Sequence, residues 1–340
     1  RRKLFSEVDS RMKFSLLTLR GPGGQPAPAE FAFFLLGVED LADPERRFTL
    51  TAEDFARINP NTRTCPIFRT RTDAALTRKL YEAAPVLENE TTGENPWGVS
   101  FMTMFHMAND SGLFRTRRQL EARGLHLFGS RFIGEGEEWL PLYEAKMFWH
   151  YDHRFGSYAE IGKKSDASYV VQPRYWVSHP EVDLRVTSKA YKWLLGFRDI
   201  TNTTNERTVI FSFLPYVCVG HTAPLVFTNH SVVKSTLFVA NMNNIVFDYI
   251  SRQKVGGTHL TYNFIRQFPV LSPEYYSEDI IKFVAPSVLE LTFTSWDLEA
   301  LCDEIWSETD GIIRQRIQHQ WEDNARETGG GHRGAQRPEW

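Results

Sequence analysis

Two kinds of periodicity run along the chain. Val8 to Arg20 and Glu30 to Val38 are β-rich, and the Gly- and Pro-rich stretch from Gly21 to Pro28 between them predicts a loop joining a two-stranded unit. Helical spacing follows over Leu50 to Ile58 and Asp73 to Ala84, with Thr51 and Thr72 as N-cap candidates and the short basic segment Arg63 to Arg71 between them. From Leu140 to about Val270 aromatic-rich strands alternate with short helices. The clearest helix is Val232 to Ile250, where Leu237, Val239, Ala240, Ile245, Val246, Tyr249 and Ile250 recur at near-helical spacing around the polar run Asn241-Met242-Asn243-Asn244. Leu289 to Trp306 opens like a strand and ends like a helix. Beyond Ala325, the run Gly329-Gly330-Gly331-His332-Arg333-Gly334 predicts a loop or disordered tail. No internal repeat is visible, and the fold class predicted is α+β.

Composition narrows the classes. At 340 residues, 42% hydrophobic and 24% charged, the chain has ordinary globular values and enough length for a substantial core. A formal charge of −3 gives no global attraction for nucleic acid, so any such affinity must come from local patches. Cys65, Cys218 and Cys302 lie far apart without a CxxC pair, against a thiolate zinc site or a disulfide framework, and are expected to be reduced in a cytoplasm. No apolar run reaches the ~18 residues of a membrane span and no secretory leader pattern is present, so Asn89-Glu90-Thr91 is a chance glycosylation triplet. The chain opens on Arg1 within a basic run, which we read as a fragment or an interrupted gene.

The segment Arg252-Gln253-Lys254-Val255-Gly256-Gly257-Thr258-His259-Leu260 holds the most suggestive local chemistry. Adjacent glycines allow a backbone with φ > 0 whose N–H groups meet an anion, and Arg252, Lys254, Thr258 and His259 add donors, as a phosphate requires. The alternative is a plain turn. Upstream come Leu140-Pro141-Leu142-Tyr143-Glu144-Ala145-Lys146-Met147-Phe148-Trp149-His150-Tyr151-Asp152-His153-Arg154-Phe155, then Trp193-Leu194-Leu195-Gly196-Phe197-Arg198-Asp199-Ile200-Thr201, then Asn205-Glu206-Arg207-Thr208-Val209-Ile210. In that order they resemble the C-terminal half of large adenine-specific DNA methyltransferases of the Eco57I type, found in type II restriction-modification and in BREX and DISARM phage defence. The resemblance runs from about Leu4 to about Leu298.

The resemblance implies an organisation. Residues 1–60 would close a methyltransferase-like domain, 61–139 would be a mainly helical connector, 140–272 a DNA target-recognition domain, 273–324 a strand and helical segment, and 325–340 a flexible tail. Asn95-Pro96-Trp97-Gly98 is not the Asn-Pro-Pro-Tyr motif that holds a target adenine, because Trp97 stands where a second Pro belongs. A similar run in the family precedes Met104-Phe105-His106-Met107-Ala108-Asn109-Asp110-Ser111, which places 86–128 in a helical bridge.

Candidate contacts can be weighed one by one. Lys146, His150, His153 and Arg154 are interleaved with Tyr143, Phe148, Trp149, Tyr151 and Phe155, which suits a groove for nucleic acid or, equally, a strand with core aromatics and solvated charges. His150-x-x-His153 is short of a complete metal ligand set. Glu144-Ala145-Lys146 matches the Glu-x-Lys of a nuclease site by letters only, without the preceding Pro-Asp. Arg198-Asp199 and Glu206-Arg207 are charge pairs of which at least one is expected to bridge internally, while the resemblance puts both arginines on the DNA-facing side. Gly21-Pro22-Gly23-Gly24 does not open a helix as an S-adenosylmethionine loop would. The chain alone is therefore expected to lack catalytic and metal residues and to be inactive, with S-adenosylmethionine belonging to the complete enzyme. The expected partners are double-stranded DNA and an upstream methyltransferase domain or subunit, with or without a nuclease, and no membrane. DNA contacts are expected at Lys146, Arg154, Arg198, Arg207, Arg252, Lys254, Gly256, Gly257, Thr258 and His259, with Gly156 to Asp183 reading the sequence. The alternative is a protein-interaction module of a phage-defence assembly that reads no DNA.

Overall fold

A computed structural model of the chain describes residues 7–8, 14–21, 23, 28–159, 161–186 and 191–327. The predicted tail at 329–334 and most of the loop at Gly21–Pro28 lie outside the described residues, as do 9–13 of the first predicted strand. The fold is α+β. Strand β1 (Ala29–Phe31) pairs antiparallel with β2 (Phe48–Leu50), Phe31 opposite Phe48. The two-stranded unit therefore exists with a different partner, since 14–20 take no strand conformation and Leu16, Leu17 and Leu19 are exposed. Aromatic contact selects this register: the Phe31 ring lies 6.2 Å from Phe48, and Phe33 and Phe55 close around them. Val38 falls in a 3-10 turn, not a strand.

Helix α1 (Ala52–Ile58) starts at Thr51 as expected, in a capping box with Asp54. Helix α2 (Arg71–Ala83) is capped by Thr70 and not Thr72, because Thr70 accepts from the Asp73 amide while Thr72 sits in the first turn with its hydroxyl on Glu45. The stretch 86–128 is not mainly helical. It holds β3 (Ser100–Met102), the five-residue α3 (Arg117–Glu121) and β4 (His126–Phe128). Between them side chains satisfy backbone groups that a helix would otherwise pair: the Asp110 carboxylate accepts from the His106 amide, and the His106 ring accepts from Ala108 and Asn109. Asn95 similarly clasps both backbone groups of Val99, and Trp97 is buried with its indole N–H on the Leu271 carbonyl.

Next come β5 (Arg131–Gly134), β6 (Glu137–Tyr143), β7 (Trp176–Ser178) and α4 (His179–Arg185). They are followed by β8 (Trp193–Phe197), β9 (Phe211–Pro215), β10 (Cys218–Val219) and β11 (Leu225–Phe227). One sheet runs β10-β6-β5-β4 with β7 also on β6, and β10 is parallel to β6; the other runs β3-β11-β8-β9, all antiparallel. The second sheet is covered on both faces. Leu195, Phe197, Phe211, Phe213 and Val226 enter the larger apolar core, and their neighbours Leu194, Leu214 and Leu225 enter a second core against the first sheet. A period of two on a doubly buried sheet produces this split.

The helices α5 (Val232–Asn243), α6 (Ile245–Lys254), α7 (Tyr262–Ile265), α8 (Glu278–Thr292), α9 (Glu299–Glu308) and α10 (Gly311–Glu327) follow, with α5 buried along most of its length and packed against α8. The single helix expected over Val232–Ile250 is two. Asn244 ends α5 and caps α6, accepting from the Phe247 amide at 2.8 Å, and Asn243 bonds both backbone groups of Phe211. The strand-like start expected for Leu289 to Trp306 is the last turn of α8, which ends at Thr292 with Val288, Leu289 and Thr292 buried and the helix packed against α5. The expected division at 139/140 cuts through β6, and β3 from the connector is a sheet neighbour of β11. The larger core draws on residues from Phe48 to Ile317, so the fold is not partitioned at 60/61 or 272/273 either. No described helix is long and apolar enough to cross a membrane.

Candidate nucleic-acid interface

The Gly-Gly turn does not form the expected clamp. Gly256 and Gly257 are exposed with open space around them and neither adopts a positive φ, so no nest of amides is built there. Arg252 spends its guanidinium on Asp248 at 2.8 Å and on the carbonyls of Thr203, Asn205 and Glu206. The Lys254 ammonium donates to the carbonyls of Ile58 and Gln267, both at 2.7 Å, over the ring of Tyr81. Although the residue as a whole is half-buried, its charged end is enclosed, and loss of water holds its pKa well below the usual lysine range. These two side chains staple the end of α6 to its surroundings. The Thr258 carbonyl accepts from the Thr201 amide, and exposed His259 donates from Nδ1 to the Asp199 carboxylate at 2.7 Å.

Three more expected contacts are also reassigned or reduced. Arg154 is 1% exposed, and its guanidinium donates to the carbonyls of Asp166, Tyr169 and Thr294, with burial lowering its pKa. Arg198 is half-buried, donates to the Phe148 carbonyl and has its pKa pushed down to about 10 by burial. Neither expected charge pair bridges within itself: Asp199 takes His259, and Glu206 is exposed while the Arg207 Nη1 is buried without a hydrogen-bond partner. His150 binds the Val209 carbonyl and His153 binds Asp297 and Ser295, so the two rings serve separate partners. Glu144 is occupied by the Tyr158 hydroxyl and Arg174, unlike the metal-holding carboxylate of a nuclease.

What the structure does bring together is a cation and aromatic surface on the segment after β6. A 3-10 turn at Ala145–Met147 exposes Lys146, whose ammonium lies 3.5 Å from the centre of the Tyr158 ring. Arg174 sits over the same ring at 4.9 Å and over Tyr175 at 5.4 Å. Beside it Trp149 stacks on the exposed Phe155 with centroids 5.1 Å apart, and Arg198 and Lys164 flank that stack. A tight turn closed by mutual Trp149 and Asp152 backbone hydrogen bonds places the stack, and requires Tyr151 at φ +58°. Gly156 is equally determined, because a Cβ there would stand 2.5 Å from the Lys146 carbonyl oxygen.

Arg154 pins the underside of this surface. Its three carbonyl partners join the segment 166–169 to Thr294, and the Trp296 amide adds a bond to the Ala167 carbonyl at 3.0 Å. Burial pushes the Asp297 carboxyl up, but the charge and hydrogen bonds of His153 and Ser295, with Arg154 nearby, outweigh it and hold the group below the usual range. Sequence reading missed Arg174, Tyr158, Lys164 and the 294–297 support. Arg174 and Tyr158 lay inside the segment expected to read DNA, but only their stacking with Lys146 marks them. No family model, curated protein or solved structure matches the chain.

Proposed function

We propose that the chain is a duplex-DNA recognition module, the target-recognition part of an adenine-N6 DNA methyltransferase of a restriction or phage-defence system. The observation that carries the DNA part is the layered surface of Lys146, Tyr158, Arg174, Trp149, Phe155 and Lys164. Cations positioned on aromatic faces suit phosphates and sugars together, and exposed Lys146 and Lys163 remain outward for the backbone. Glu144, Asp152 and Asp166 neutralise part of the charge, so binding is weak and depends on several contacts. The methyltransferase part rests on the order of sequence motifs, and the second partner it requires, a catalytic domain, suits the exposed Leu16, Leu17, Leu19, Leu36 and Val38 near the start of the chain. Methyl transfer is assigned to that separate domain because the sequence carries neither a helix-opening Gly-rich cofactor loop nor an Asn-Pro-Pro-Tyr motif. Cys65 and Cys218 donate to the Pro66 and Leu140 carbonyls and lie in no disulfide, in keeping with a cytoplasmic setting.

Photo-crosslinking to a duplex carrying 5-iodouracil tests the placement. Peptides containing Phe155 or Tyr158 should carry the adduct. Adducts confined to 252–259, or no adduct at all under conditions of measurable duplex binding, would contradict it, and no duplex binding even at low salt would argue for a partner other than DNA.

A further inference from the structure

Beside this surface, between the β4–β5 turn and the segment 161–172, lies a cleft of about 260 Å³. It is smaller than the ~300–1,000 Å³ typical of sites for drug-sized ligands, which suits one ring system with its substituents outside. Leu127, Ile161 and Val170 line it with apolar surface and Tyr169 contributes an aromatic ring. Its shape depends on two left-handed glycines: Gly129 at φ +60° turns the hairpin away, and Gly162 at φ +88° lets the backbone pass the Tyr169 ring.

Two polar side chains of the cleft, Gln172 and Asp166, share one property. Gln172 lines it while only 3% exposed; its Nε2 donates to the Gly129 carbonyl at 3.0 Å, and its Oε1 is buried with no partner. Asp166 uses Oδ1 to accept from the Ser168 amide and hydroxyl, both at 2.8 Å, leaving Oδ2 outside those two bonds. The same bonds hold its pKa below the ordinary carboxylate range, so it stays an acceptor at neutral pH. Both side chains therefore ask for donors. Lys163 lines the cleft as an exposed cation. An aromatic wall, an unsatisfied amide acceptor, a carboxylate and a neighbouring ammonium match a flat amine-bearing heterocycle attached to a phosphate.

We propose that the cleft holds a single unpaired nucleobase with an exocyclic amino group, its ring against Tyr169, its amine donating to Asp166 and Gln172, and its phosphate at Lys163. This deepens the nucleic-acid reading above and rests on it. Thymine, which carries a carbonyl where cytosine carries the amine, would set an acceptor against these acceptors and be rejected.

The test is calorimetric or saturation-transfer titration of the full chain with the 5′-monophosphates of cytidine, guanosine, adenosine and thymidine. The amino-bearing nucleotides should bind at least about tenfold more tightly than thymidine monophosphate. Asp166→Asn, at an exposed position that should fold normally, should reduce that preference by about tenfold, and Val170→Trp should block all four by filling the cleft. Equal affinity for all four, no binding of any, or an unchanged preference in Asp166→Asn would overturn the proposal. Duplex binding measured alongside separates the two claims. A cleft that fails while duplex binding persists overturns only the cleft, and amine-selective nucleotide binding without duplex binding supports the cleft while overturning the duplex reading.

Discussion

Lys254 shows how a residue's role turns on contacts far away in sequence. A lysine two residues before a Gly-Gly pair suggests a phosphate ligand, yet its ammonium is held by the carbonyls of Ile58 and Gln267. Lys254→Ala should therefore cost about 1–3 kcal/mol of stability by stranding those groups, while duplex affinity and its salt slope stay unchanged. Titration adds a sign. Because burial lowers the folded pKa, the unfolded chain binds more protons between that lowered value and about 10.4, so stability rises with pH across the window. Chemical denaturation of wild type and Lys254→Met from pH 7 to 10 should show the wild type gaining relative to the variant. Gly257→Val, at an exposed position without positive φ, should change stability by no more than about 0.5 kcal/mol. The α1 cap was legible because its chemistry is local, Thr51 and Asp54 lying three residues apart, whereas α2 is capped by Thr70 and not by the expected Thr72. The buried arginines and Lys254 were not legible, since their partners are carbonyls that any residue carries.

At the level of elements, the segment 157–172 owes its position to Arg154 and to residues 294–297 rather than to a regular ladder. Arg154→Met is expected to loosen the segment, seen as faster limited proteolysis between 157 and 172 together with weaker duplex binding. Lys146→Ala should weaken binding with no change in proteolysis, which separates positioning from contact. Helix existence was readable from spacing, as α1, α2 and α5 show. Helix limits were not: Asn241-Met242-Asn243-Asn244 registers in the sequence as an interruption, but only the Asn243 bonds to Phe211 turn it into a break between two helices. The 86–128 bridge failed for a related reason, because β3 gains its partner from β11, more than a hundred residues on.

Over the whole molecule, the α+β class follows from alternating strand and helix patterns, whereas the two cores sharing one sheet depend on long-range pairing that no local window contains. Apolar exposure gathers near the start of the chain, with Leu16 at 89%, Leu17 at 77% and Leu19 at 79%. Replacing all three by Ser should leave the melting temperature nearly unchanged while reducing self-association in sedimentation velocity, since these side chains support no core; a large loss of stability would show that they are packed. A net charge of −3 supplies no general attraction for DNA, so affinity must be local and sensitive to few residues. The most direct measurement is fluorescence anisotropy of a duplex against salt, for wild type and Lys146→Ala with Arg174→Ala. Wild-type affinity should fall more than about tenfold between 50 and 200 mM salt, and the double variant should bind all sequences more weakly with a salt slope lower by about one to two units. A flat wild-type profile, or a double variant with unchanged affinity and slope, would contradict DNA recognition at this surface.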